Sequence, residues 1–174
     1  KEYISQGPIT LELEENIAKS LNVPYVVVTT SGSVALLMAI MVYNIKQGDE
    51  VIVPNRTWVA GAHAPLITGA KVVLADVNEN QIIDVSDIER KITPKTKAII
   101  PVHLNGKGAD MKAINALAKK HNIAVIEDAC QALFSKNNQG YLGTQSDIGC
   151  FSLGVTKLVS TGQGGFLITK NKET

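Results

Sequence analysis

The sequence predicts an α/β protein built on a mainly parallel sheet with helices on both faces. Short runs rich in Val and Ile alternate along the chain with helical patterns, and such alternation is typical of βαβ units. A length of 174 residues, with 45% hydrophobic and 19% charged residues, suits a single globular domain. A chain of this size can form a core without disulfides.

Each predicted element follows from its local pattern. Strands are predicted at 23–29, 50–54, 71–76, 98–102, 124–128, 148–151 and 166–169. Helices are predicted at 34–43, 58–67, 84–91 and 110–121. Asp84 and Asp110 open the last two helices, since a carboxylate there accepts from free backbone amides. Ligands of open parallel sheets bind beyond the carboxyl ends of the strands, so functional residues are expected just after strands.

Charge and cysteine usage exclude several classes of partner. The net charge is +1 and acidic and basic residues are interspersed, so neither nucleic acid nor a membrane surface is expected as a partner. Cys130 and Cys150 are predicted to be small core residues, which fits a reducing cytoplasm. We expect no metal site.

The segment 147–165 carries the strongest functional signal. Ser152 and Lys157 lie five residues apart on a loop between an apolar strand and a glycine cluster. A lysine held among apolar and small residues is poorly solvated as an ammonium ion, which favours its use as an amine nucleophile toward a carbonyl. The alternative for Lys157 taken alone is an ordinary solvated loop lysine.

Three further positions follow strands. Gly32 and Ser33 open a helix, where free amides can bind phosphate, although Ser and Gly are also common at ordinary helix starts. Asp128 ends an apolar strand, where its carboxylate either caps the next segment or binds a cation. Gln131, three residues later, offers a side-chain amide to the same space. Trp58, the only tryptophan, is either a core residue or a platform for a planar ring.

Together these groups match one ligand, pyridoxal 5'-phosphate. Ser33 and Ser152 would hold its phosphate, Asp128 its ring nitrogen and Lys157 its aldehyde. Gln131 would contact the phenolic oxygen, and Trp58 would stack on the ring. An ionised carboxylate beside the ring nitrogen keeps that nitrogen protonated, which lets the ring accept electrons.

At the level of whole motifs the chain resembles the pyridoxal-phosphate enzymes of fold type I, and closely the DegT/DnrJ/StrS-type sugar aminotransferases. The resemblance rests on these segments: TSGSVAL (30–36), GDEVIVPNRTWVA (48–60), GAKVVLADV (69–77), IIPVHLNGKGADM (99–111), IAVIEDACQAL (123–133), YLGTQSDIGCFS (141–152) and TKLVSTGQGGFLIT (156–169). It implies that residues 1–174 are an incomplete cofactor-binding large domain, in which the N-terminal start and the C-terminal small domain are missing.

The resemblance also implies an activity. Members transfer an amino group, with glutamate as the expected donor, to a keto group of a nucleotide-linked deoxysugar, and they act as homodimers. It gives Lys157 and Asp128 catalytic roles and the remaining positions cofactor contacts. His103, in the segment VHLNG, is a secondary candidate or a structural histidine bonded to backbone.

Some positions depart from the family pattern. Leu153-Gly154-Val155 replace Phe-His-Pro, Asn105 stands where an aromatic is common, and Asn55-Arg56 is unusual. These changes leave the cofactor contacts intact, but the family pattern then does not predict which residues form the sugar pocket. Lys157 itself argues against the branch that catalyses sugar 3-dehydration, which has a histidine there. The alternatives are a truncated or degenerate homologue that binds the cofactor or a partner without turnover, and another fold-type-I lyase or desulfurase.

Overall fold

The computed structural model describes residues 7–173. Its helices are α1 (Pro8–Leu21), α2 (Gly32–Val42), α3 (Ala60–Ile67), α4 (Val85–Lys91) and α5 (Met111–His121), with a short 3-10 turn at Leu104–Gly106. Its strands are β1 (Tyr25–Thr29), β2 (Glu50–Pro54), β3 (Lys71–Ala75), β4 (Thr96–Ile99), β5 (Ala124–Asp128), β6 (Lys136–Asn137), β7 (Gly140–Tyr141), β8 (Ile148–Ser152) and β9 (Gly165–Thr169).

Seven strands form one sheet, and the short pair β6–β7 forms a separate hairpin. The order in the large sheet is β1-β9-β8-β5-β4-β2-β3. Strand β9 is antiparallel to both of its neighbours, and the other pairs are parallel. The predicted mainly parallel α/β sheet is confirmed. The carboxyl ends of β1, β2, β5 and β8 therefore meet at one edge.

Helices cover both faces of this sheet, as predicted. One hydrophobic cluster joins α2 and α3 to side chains such as Val51, Ile126 and Cys150. Two others pack α4, α5 and α1 against the opposite face. Because successive strand residues point to opposite faces, Asp128 lies on the α2 face together with Ile126, whereas Glu127 lies on the other.

Several predicted boundaries were wrong. Strand β1 begins at Tyr25, after Pro24, and not at residue 23; α3 begins at Ala60 and not at residue 58. Strand β4 runs from Thr96 to Ile99, so the predicted stretch 98–102 extends beyond its end. Strands β2 and β5 have the predicted bounds, and the other predicted elements are shifted by one or two residues. The predicted caps are present, since Asp84 accepts from Ser86 N–H and Asp110 from Ala113 N–H.

Helix α1 was not predicted at all. It has Pro8 in its first turn, where a missing amide costs nothing, and it ends at Asn22 in the left-handed conformation with φ 54°. None of the helices formed by residues 7–173 is long and apolar enough to cross a membrane.

Candidate functional site

A cleft of about 250 Å³ opens at the carboxyl edge of the sheet. Seven residues singled out in the sequence line it together: Gly32, Ser33, Trp58, Asp128, Gln131, Ser152 and Lys157. They lie at or shortly after the carboxyl ends of four strands, β1, β2, β5 and β8, which the topology brings to one edge. His103 does not line this cleft.

Two glycines let helix α2 lie directly on the strands. A Cβ at Gly32 would stand 2.6 Å from Cys130 Sγ and 2.9 Å from Ser152 Cβ, and one at Gly165 would stand 2.4 Å from Gly32 N. Real Cβ atoms are not found this close to other heavy atoms. Gly32 and Gly165 thus place the start of α2 beside Ser152 and above the end of β5.

The first turn of α2 presents free amides to the cleft. Ser31 caps the helix, since its Oγ accepts from Val34 N–H and its carbonyl accepts from Ala35 N–H. The amides of Gly32 and Ser33 have no acceptor among the described residues. Free amides at a helix N-terminus form a favourable site for an anion.

Asp128 forms the floor of the cleft. It is 5% exposed, and its Oδ1 accepts from Cys130 N–H at 3.0 Å. Burial raises the pKa of Asp128, and the hydrogen bond from Cys130 and the charge of Lys157 oppose this without reversing it. A cation placed against this carboxylate would favour its ionised form.

Glu127, the neighbour of Asp128, is fully buried on the opposite face. Its carboxylate accepts hydrogen bonds from the Gly143, Gln145 and Ser146 amides, from the Ser146 hydroxyl and from His103 Nε2. Burial alone would raise its pKa, but the bonds from His103, Ser146 and Gly143 outweigh burial and lower the pKa of Glu127.

His103 is bonded on both ring nitrogens inside the protein. Its Nδ1 accepts from Ala109 N–H at 3.1 Å, so Nε2 carries the proton that is donated to Glu127 Oε2 at 2.8 Å. Its own amide donates to the Asp128 carbonyl at 3.0 Å. These contacts describe the structural alternative for His103.

Gln131 is oriented by one specific contact. Its Oε1 accepts the backbone N–H of Asn105 at 3.1 Å. Because an N–H can bond only to the oxygen of the amide, the NH₂ group of Gln131 is the end left for the cleft.

Trp58 and the loop of Lys157 are more exposed than the sequence suggested. Trp58 is 70% exposed, which excludes the core alternative. Lys157 is half-buried, and its amide donates to the Gly154 carbonyl at 2.9 Å. Its apolar neighbours do not enclose it, since Val155 is 77% and Leu158 90% exposed.

The cysteines are free and occupy different environments. Cys150 is a core residue, as predicted. Cys130 is only half-buried and lines the cleft next to Asp128, so the expectation of a core residue was wrong there. Burial raises the pKa of both thiols, which keeps them protonated.

A second cavity adjoins the cleft and shares five lining residues with it: Cys130, Gln131, Ser152, Thr156 and Lys157. Its volume is about 490 Å³. The residues that line only this second cavity carry no charge: Asn105, Gly106, Leu133, Ser135, Leu158 and Val159. Among the described residues that line either cavity, Lys157 is the one basic side chain.

Sequence reasoning missed the residues that position the site. The close approach of Gly165 to Gly32 and the bond from Asn105 N–H to Gln131 join residues distant in sequence, so no local pattern predicts them. Glu127 gave a partial signal, because a glutamate inside an apolar strand needs buried hydrogen-bond donors.

Comparisons with known proteins are consistent across the chain. The DegT/DnrJ/EryC1/StrS aminotransferase family matches residues 1–174. GDP-perosamine synthase of Escherichia coli O157:H7 is 43% identical over 169 residues, covering 97% of this chain and 46% of that protein. A UDP-N-acetyl-3-dehydro-alpha-D-glucosamine 3-aminotransferase of Acidithiobacillus ferrooxidans is 45% identical over 163 residues, covering 92% of this chain and 44% of that protein.

Solved structures agree with these relatives. A putative sugar aminotransferase from Streptococcus pneumoniae in its PMP form superposes with a TM-score of 0.94 at 30% identity, covering 100% of this chain and 48% of that one. The chain therefore spans about half the length of the proteins it matches.

Proposed function

Because this chain belongs to the DegT/DnrJ/EryC1/StrS aminotransferase family, we propose that residues 1–174 are the cofactor-binding part of a pyridoxal-phosphate-dependent sugar aminotransferase. One observation carries the proposal: the cleft gathers all seven residues that the sequence assigned to this cofactor. A likeness to solved aminotransferases in PMP and PLP forms supports the choice of cofactor.

The residues of the cleft suit each part of this ligand. The free amides of Gly32 and Ser33, with the Ser152 hydroxyl, form a cradle for the phosphate. Asp128 and Gln131 would bind the ring nitrogen and the phenolic oxygen. Trp58 would cover the ring, and the amine of Lys157 would hold the cofactor covalently.

When bound, pyridoxal phosphate supplies an electron-accepting ring that stabilises negative charge on the carbon next to the reacting amine. Asp128 would keep a proton on the ring nitrogen through its buried carboxylate. When it is not bonded to the cofactor, Lys157 Nζ would hold and move a proton as general base and acid.

We further propose that the amino group passes from glutamate to a keto group of a nucleotide-linked deoxysugar. The names of the relatives support a sugar acceptor. A cytoplasmic homodimer is proposed as well. The exposed apolar side chains around the cleft, Trp58, Val155 and Leu158, support a partner subunit there. Sedimentation of the loaded protein as a monomer would contradict the dimer.

The cofactor site is tested by adding pyridoxal phosphate to the purified chain, recording its visible spectrum, reducing with borohydride and mapping the labelled peptide. We expect the label on Lys157 and its loss in Lys157→Ala. Lys170→Ala removes an exposed lysine outside both cavities and should keep the label. A label that persists in Lys157→Ala, or that maps to another lysine, would refute the site.

A second candidate function, cofactor binding without turnover by this stretch of chain, is favoured by the charges of the two cavities. Glutamate and a nucleotide diphosphate are anionic, yet Lys157 is the sole basic residue lining either cavity in the described part of the chain. Detection of amine transfer from glutamate would exclude this second candidate.

A further inference from the structure

We propose that Asn105 is a positioning residue for the cofactor site, which acts through its backbone N–H on the side chain of Gln131. The inference rests on the proposed function, since Gln131 is taken to contact the cofactor.

The contact depends on an unusual backbone conformation. Asn105 has φ 53° and ψ 32°, inside the 3-10 turn Leu104–Gly106. In this left-handed conformation its N–H points to Gln131 Oε1, 3.1 Å away. Asn and Gly adopt that conformation at low cost, whereas a β-branched residue does not.

His103, which precedes the turn that carries Asn105, anchors this turn through its backbone and its ring. The His103 amide is bonded to the Asp128 carbonyl, and its ring bonds Glu127 on one side and Ala109 N–H on the other. On its remaining side the turn packs on the segment after Gln131, because a Cβ at Gly106 would lie 3.1 Å from Ser135 Oγ. Because the turn is fixed, the position of the Asn105 N–H donor is fixed as well.

The consequence is a defined orientation of the Gln131 amide. With Oε1 occupied by Asn105, the NH₂ group is the end that can donate to an acceptor in the cleft. Without this contact the amide could rotate, and either end could face the ligand. The turn thus selects an oxygen acceptor on the ligand.

Two substitutions of Asn105 distinguish the role of its backbone from the role of its side chain. Asn105→Gly keeps both the N–H and the left-handed conformation, so pyridoxal phosphate should bind as in the wild type by equilibrium dialysis. Asn105→Val disfavours the conformation and should weaken binding about tenfold, in line with the loss of one hydrogen bond. Asn122→Val is the matched control, because Asn122 has φ 54° at the end of α5, away from the cleft.

A double-mutant cycle decides whether Gln131 transmits the effect. In a Gln131→Ala background, Asn105→Val should cause no further loss of affinity. Additive losses, an equal loss in Asn105→Gly, or the same loss in Asn122→Val would each overturn the proposal.

The positioning can also be measured without cofactor, which separates this proposal from the proposed function. If the wild type fails to bind pyridoxal phosphate, the cofactor assignment is wrong. The side-chain amide resonances of Gln131 in a ¹⁵N NMR spectrum should still shift in Asn105→Val and stay in place in Asn105→Gly. Unchanged Gln131 resonances in Asn105→Val would overturn the role of Asn105 itself.

Discussion

At the residue scale, two adjacent carboxyl groups at the end of β5 have pKa values that are shifted in opposite directions. Glu127 faces five hydrogen bonds, which outweigh its burial and lower its pKa. Asp128 faces the cleft, where burial raises its pKa. The alternation of strand residues places Glu127 among buried hydrogen-bond donors and Asp128 at the cleft.

The signs of their contributions to stability follow from linkage. The pKa of Glu127 is below 4.5 in the folded chain, so its stabilisation is present above that pH and is lost as pH falls through the folded pKa. The pKa of Asp128 is above 3.8, so its contribution is complete below 3.8 and is lost as pH rises through the folded pKa.

Asp128→Asn is therefore expected to stabilise the cofactor-free chain at neutral pH and to weaken binding of pyridoxal phosphate. The amide cannot ionise, yet it can still accept from Cys130 N–H. Urea unfolding at several pH values should show a gain in the free energy of unfolding that shrinks as pH falls toward about 4, near the ordinary pKa of an aspartate.

Asp147→Asn serves as the control, since it removes an exposed carboxylate, and surface changes of this kind are usually within about 0.5 kcal/mol. A loss of stability in Asp128→Asn at neutral pH would contradict the interpretation that the ionised Asp128 carboxylate destabilises the folded chain.

At the element scale, the position of helix α2 depends on a glycine contact. Gly32→Ala should gain helix propensity but lose more, because the new Cβ would meet Cys130 Sγ, Ser152 Cβ and the Phe151 carbonyl, all within 3.2 Å. Overpacking of this kind typically costs about 1–3 kcal/mol. We expect a lower free energy of unfolding and weaker binding of pyridoxal phosphate, both measurable by denaturant titration and dialysis.

Gly61→Ala in α3 is the matched helix substitution, because a Cβ there meets no atom within 4 Å. It should stabilise the chain by roughly 0.5–1 kcal/mol through helix propensity. Equal effects at Gly32 and Gly61 would show that close packing does not fix α2.

The sequence predicted elements well where local pattern decides them. The caps Asp84 and Asp110 and the strands β2 and β5 follow from residues within a few positions of each other. Helix α1 was missed because Ile9, Leu11 and Leu13 alternate like a strand, and Ile9 and Leu11 are in fact exposed at 79% and 59%.

The candidate site likewise has features that the local sequence predicts and features that it does not. The residues that line the cleft could be predicted because each lies at or shortly after the end of a strand. The orientation of Gln131 could not, because it depends on a single amide from a turn 26 residues earlier in sequence. The exposure of Val155 and Leu158 also could not be predicted, since composition does not tell which side of a loop faces the cleft.

At the scale of the whole molecule, side chains cover the two edges of the sheet. On the outer strand β1, Val28 N–H donates to Glu14 Oε1 of helix α1 at 2.8 Å. On the opposite edge, Lys91 Nζ donates to the Leu74 carbonyl of β3 at 2.6 Å. Such contacts occupy backbone groups that could otherwise pair with another chain.

Glu14→Ala should leave the Val28 amide unpaired and increase self-association. We expect a loss of about 1 kcal/mol in the free energy of unfolding, the size of one hydrogen bond, and stronger light scattering on mild heating. Glu15→Ala, which removes a partner of Lys19 in an exposed pair, should change neither. Equal scattering from the two variants would show that Glu14 does not protect the edge.

The pairing of β1 with β9 has a consequence for the order of events in folding. Tyr25 pairs with Thr169 and Thr29 with Gly165, so the start of α2 finds its support only when nearly the whole described chain is present. Contacts so distant in sequence form slowly. During synthesis on the ribosome, the start of α2 would therefore find its support only after β9 has been made, and binding of the proposed cofactor would mark a chain in which β1 and β9 are paired.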